Sequence, residues 1–109
     1  MNEDFVERLL GANVRLHLGK HYLRKGDFAA ALRAFVLAEQ LFIKERGPDH
    51  QLVITAIMRQ AECYNRLGDG EAACRETFRA LKRMRESGYA NHPMAKALAD
   101  YLIAANCPQ

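Results

Sequence analysis

The sequence predicts an all-α domain made of two helix pairs and a closing helix. Three observations predict it. Apolar residues recur at spacings of three and four, a Gly-Asp pair at 26–27 returns at 68–69, and the chain matches itself at a shift of 42 residues. With 109 residues, half of them apolar and 27% charged, the chain suits one folded domain over 1–109 rather than two domains or a disordered segment.

The first helix spans about 12–25, where Val14, Leu16, Leu18, Tyr22 and Leu23 are apolar. Gly26 supplies the left-handed conformation that closes a helix, and Asp27 caps the next one. From Phe28 to about Arg46, the set Phe28, Ala31, Leu32, Phe35, Ala38, Leu41 and Phe42 forms a wide apolar stripe that ends at Gly47-Pro48. The second unit repeats this order. Val53, Ile54, Ile57, Ala61, Tyr64 and Leu67 mark a helix over 51–67, Gly68-Asp69 repeats the stop and start, and 70–87 forms the partner helix. The shift of 42 carries Tyr22 onto Tyr64, Gly26 onto Gly68, Asp27 onto Asp69, Ala31 onto Ala73, Ala38 onto Ala80 and His50 onto His92. Repeat one is thus about 12–46 and repeat two about 51–87. Pro93 suits the first turn of a closing helix over about 93–106, whose Met94, Ala97, Leu98, Tyr101 and Leu102 give one apolar face. Ahead of these, Phe5, Val6, Leu9 and Leu10 extend the first helix back to about Asn2 or form a separate turn. One long helix is the expectation, because Gly11 costs only ~1 kcal/mol within it.

No apolar run approaches the roughly 18–20 residues of a membrane span, and Glu3 and Asp4 make the start acidic where a secretory leader is basic. A cytoplasmic location is expected. Cys63, Cys74 and Cys107 form no CxxC pair, and their odd number leaves one unpaired in any scheme, so they are expected as reduced thiols, with Cys63 and Cys74 packing in the core. The fold should then need neither disulfide nor metal.

Chemistry-bearing patterns are sparse. The chain lacks a Gly-rich phosphate loop, GxSxG and HExxH, its only serine is Ser87, and no enzyme or cofactor is expected. His50 and His92 occupy equivalent turns and read as helix caps, while His17 and His21, at i and i+4, have no third ligand nearby in sequence. Arg75, Arg79, Lys82, Arg83 and Arg85 interleave with Glu71, Glu76 and Glu86, with Glu71–Arg75 and Glu76–Arg79 at pair spacing. They form a solvated outer face rather than a nucleic-acid stripe.

Leu18-Gly19, Tyr22, Ala31 and Phe35 resemble the tetratricopeptide repeat, which places Leu-Gly and Tyr in its first helix and Ala-x3-Phe in its second. The period of 42, with Gly-Pro-Asp-His-Gln at 47–51 and Asn-His-Pro at 91–93, is similar to the variant found in kinesin light chains. The resemblance departs at Arg15, where the family carries a large apolar residue, and at Ala61 and Thr77, which replace the glycine and phenylalanine in repeat two. It covers about 12–106 and implies a right-handed helical-repeat solenoid, two helix pairs plus a capping helix, serving as an adaptor or scaffold for protein binding.

In that family the first helix of each pair lines a concave groove. The resemblance therefore assigns Asn13, His17, Lys20 and Arg24, then Thr55, Arg59, Glu62, Asn65 and Arg66, and Tyr101 in the last helix, to a mildly basic groove for an acidic or carboxylate-bearing segment of another protein. An alternative is self-assembly as a homodimer through the solenoid ends, using Phe5, Val6, Leu9 and Leu10 or the last helix, since two repeats are fewer than usually shield such a core. Neither nucleic acid nor membrane is an expected partner.

Overall fold

The computed structural model describes residues 11–108, and Phe5, Val6, Leu9 and Leu10 lie outside them. The described residues form five helices and no strand: α1 (Ala12–Lys25), α2 (Phe28–Arg46), α3 (Gln51–Arg66), α4 (Gly70–Glu86) and α5 (Pro93–Ala104). Each helix packs mainly against the next in the chain, and α5 has the smallest contact.

Local chemistry sets the boundaries. Gly26 and Gly68 both take φ 82°. Each closes its helix with the same pair of backbone bonds, Asp27 N–H to Tyr22 O at 3.0 Å and Gly26 N–H to Leu23 O at 3.1 Å, then Asp69 N–H to Tyr64 O at 2.9 Å and Gly68 N–H to Asn65 O at 3.2 Å. The aspartates then open the next helix, accepting from the N–H of Ala30 and of Ala72, both at 3.1 Å. His50 and His92 act as caps too: their Nδ1 atoms accept from Leu52 N–H at 3.1 Å and Met94 N–H at 3.0 Å. The expectation of a helix running back through Gly11 is corrected. Gly11 is extended at φ −60°, ψ 174°, and the helix starts at Ala12.

Phe35, Phe42, Val53, Ile57 and Cys63 are wholly buried and join Leu16, Leu81, Met84 and Leu102 in one continuous core. Gly19 lies against Phe35, where a Cβ would come within 2.5 Å of the ring. The α1–α2 crossing therefore depends on a missing side chain in one helix and a full ring in the other.

Three further expectations are corrected. Cys74 and Cys107 are not separate thiols but a disulfide that ties the end of the chain to α4, and only Cys63 is free among the described residues. In α5 the expected Leu98, Tyr101 and Leu102 do pack against the core, but Ala95 and Ala99 join them while Met94 and Ala97 are exposed, so the buried stripe is shifted by part of a turn from the expected one. On α4, Arg75, Lys82 and Arg85 are solvated as expected, but Arg79 turns inward to Glu39 of α2, and Arg75 lies 3.8 Å from Glu76. The expected Glu76–Arg79 pair is present, at 2.8 Å from Nε.

Candidate partner-binding face

On α3 the residues Gln51, Thr55, Arg59, Glu62 and Arg66 follow helical spacing, so they lie along one stripe. Arg59 is half-buried and its Nη1 donates to Glu62 at 3.3 Å, which neutralises the middle of the stripe. At its end Arg66 is exposed, with its guanidinium 5.8 Å from the centre of the Phe28 ring. Asn65 beside it is exposed. On α1, Asn13, His17 and Arg24 are exposed and Lys20 is half-buried, a second polar stripe with no carboxylate in it. Tyr101 is half-buried against the core. Among the described residues no hydrogen bond or ion pair joins the α1 stripe to the α3 stripe, so the named residues form two separate polar strips.

The structure adds a feature that the sequence reading missed. The N-terminal end of the α3 stripe opens into a recess of about 220 Å3, walled by Ile54 and Met58 of α3, Met84 of α4, Tyr89 of the following turn and Met94 of α5. Gln51, Thr55 and His92 stand as its polar members. A methionine in a helical pattern reads as ordinary core, so nothing in the linear sequence brings 58, 84 and 94 together.

Behind the stripe a polar cluster fixes α3 against its neighbours. Gln60 Nε2 donates to Glu39 Oε1 at 2.7 Å and more weakly to Phe35 O at 3.5 Å. Arg79 grips the same carboxylate with two bonds, Nη1 to Oε2 at 2.6 Å and Nη2 to Oε1 at 2.9 Å. Burial alone would push the Glu39 carboxyl up, but the hydrogen bonds from Arg79 and Gln60 and the charges of Arg79 and Arg83 outweigh it and hold the pKa below its ordinary value. The Arg79 guanidinium is held more firmly protonated, chiefly by its bond to Glu39. Cys63 behaves oppositely: burial pushes its thiol up to about 11, so thiolate is scarce at neutral pH.

No group of three or more His, Cys, Asp and Glu side chains stands close enough to hold a metal ion among the described residues. None of their helices is long and apolar enough to cross a membrane. No protein-family model, curated protein or solved structure matches the chain, so its description rests on its own residues.

Proposed function

We propose that this chain is a tetratricopeptide-like adaptor, a right-handed solenoid of two helix pairs that holds a segment of another protein along α1, α3 and α5. The observation that carries the reading is the α3 stripe, which joins an open apolar recess at one end to the exposed Arg66 at the other. Apolar anchoring beside adjustable polar contacts is what a peptide-holding surface needs. The identical Gly-Asp closures and the paired histidine caps support the repeat assignment. A binding rather than catalytic role is supported by Cys63, whose raised pKa makes it a poor nucleophile, and by His50 and His92, whose Nδ1 atoms serve as caps.

Because Arg59 is paired with Glu62, the cationic excess rests with Lys20, Arg24 and Arg66. Binding should favour an acidic segment and weaken as salt rises. Affinity capture followed by mass spectrometry, with the wild type and a Lys20→Glu, Arg24→Glu, Arg66→Glu variant side by side, tests this. A partner retained by the wild type and lost by the folded variant is expected, and identical captures would rule the face out.

A second reading, self-assembly through an end, draws on Ile103, which is 70% exposed on α5 beside exposed Ala104 and Ala105. Sedimentation of the wild type and of Ile103→Glu separates the two. A wild type that stays monomeric at high micromolar concentration ends the second reading.

As for location, a cytoplasmic setting would keep Cys74 and Cys107 reduced, whereas their bond persists where the surroundings are oxidising.

A further inference from the structure

The last helix is fastened at both ends. Its start follows α4 through the turn at 87–92, and its far end is held by Cys107, bonded to Cys74 of α4. Between these two points Ala95 and Leu102 join Leu81 and Met84 of α4 in the core, across the smallest of the contacts between successive helices. Opening the bond therefore frees the end of α5 that the turn does not hold, while α1 to α4 keep their own, larger contacts. The turn suits a pivot, because Gly88 takes φ 85° with few steric limits on its backbone.

The two sulfurs are not equally reachable. Cys107 is buried, 8% exposed, whereas Cys74 is half-buried in the wall of a second open recess of about 350 Å3, beside Glu71, Arg75, Phe78 and Pro108. A cavity of roughly 150 Å3 already accepts a benzene ring, so this recess admits a small thiol. Glu71 and Arg75 oppose one another in charge, so access rather than electrostatics decides which sulfur is met first.

We infer that the Cys74–Cys107 bond is a redox-operated latch on α5, opened in the folded protein by a small thiol that enters this recess. The thiolate attacks Cys74 Sγ, the S–S bond breaks, and Cys107 leaves as a thiolate that takes a proton from water. A second thiolate attacks the outer sulfur of the mixed disulfide and releases Cys74, which is protonated in turn. Two small thiols are thereby oxidised to their disulfide and the protein bond is reduced to two thiols. The freed α5 then opens about the turn, carrying Met94 and Tyr101 with it. The latch goes beyond the adaptor reading and operates whether or not a partner binds.

Reduced and oxidised glutathione at fixed ratios, applied to the folded wild type without denaturant, test this. Free thiols are alkylated and mapped by mass spectrometry, and a brief exposure quenched in acid traps the intermediate. The glutathione adduct is expected on Cys74. At completion Cys74 and Cys107 should be alkylated while Cys63, wholly buried, is protected until urea is added. Excess oxidised glutathione should restore the bond. Amide exchange over 93–107 should quicken about tenfold or more on reduction and recover on reoxidation, with α1 to α3 unchanged. Alkylation of Cys63 in step with the other two would mean that the bond opens only when the whole protein unfolds. An adduct on Cys107 would move the attack away from the recess, and unchanged exchange in α5 after reduction would mean that the bond restrains nothing. Any of these three results overturns the latch.

Discussion

Where α1 crosses α2, glycine at 19 meets phenylalanine at 35, while at the equivalent positions in α3 and α4 alanine at 61 stands with threonine at 77. The first crossing puts nearly all its volume in one ring, with a bare backbone opposite. In the second both residues are buried and small, and Thr77, 4% exposed, has its hydroxyl satisfied by donating to Ala73 O at 2.7 Å. Both helix pairs thus pack closely with different residues at positions 42 apart. Small and large residues that face one another in a packed core are better judged together than one by one.

The largest expected effect comes from breaking the first solution. Phe35→Thr alone should cost about 3–5 kcal/mol through the cavity it leaves, and Gly19→Ala alone about 1–3 kcal/mol, because its Cβ meets the ring. Transplanting both, so that repeat one carries the pair from repeat two, should cost less than Phe35→Thr by itself, since alanine then has room and stiffens the helix. Urea unfolding followed by circular dichroism measures the cycle, and strictly additive costs would mean that the two sites do not share volume.

The repeats differ again at the disulfide. Cys74 takes the place that Leu32 holds in repeat one, and it closes a 33-residue separation to Cys107. Removing the bond in Cys74→Ser with Cys107→Ser should cost about 3–4 kcal/mol on a chain-entropy estimate. The loss should appear first in α5, which has the least contact with the rest, and amide hydrogen exchange across 93–108 reads it. Repeat one should keep its protection at intermediate denaturant.

A smaller effect belongs to the cluster of Glu39, Gln60 and Arg79, which the shift of 42 aligns with Leu81, Leu18 and Leu37. Each polar residue has an apolar counterpart in the other repeat, so the cluster distinguishes two otherwise similar surroundings. Glu39→Ala strands Gln60 and Arg79 and should cost about 2–3 kcal/mol, less than the roughly 3–5 kcal/mol of a fully buried pair because Arg79 retains some solvent. Replacing all three with leucine should be close to neutral, as expected when a satisfied polar cluster gives way to apolar packing. The folded-state pKa of Glu39 is lowered from 4.5, so its contribution is complete above that pH and is lost as the pH falls through the lowered value. Acid titration of stability should show this loss in the wild type and not in Glu39→Ala.

Much of the fold was legible because its signals are local. Gly26-Asp27, Gly68-Asp69 and His92-Pro93 punctuate the helices by backbone geometry and capping, which depend on neighbouring residues only, and the observed helix ends fall within one or two residues of those expected from them. The features missed depend on distance in space. Cys74 and Cys107 have no spacing signature, and an odd cysteine count pointed away from pairing. Glu39 and Arg79 are of types that normally sit in water, and only the tertiary packing shows that they satisfy one another. For the candidate face, the exposure of Asn13, His17, Arg24, Asn65 and Arg66 agrees with the helical period. The Arg59–Glu62 pair depends on rotamers and the methionine recess on three separate elements, and neither is encoded in any short window.

The Cys74–Cys107 bond also decides what becomes of a broken backbone. It closes a covalent ring through the C-terminal part of α4, the turn at Ser87–His92 and all of α5. The turn carries exposed Gly88, Ala90, Asn91 and His92, and is a natural place for a protease to cut. A cut there leaves both fragments joined through sulfur, so α5 stays tethered and can settle back onto α4. On a non-reducing gel the nicked protein would run as one species, and only a reductant would part it into two.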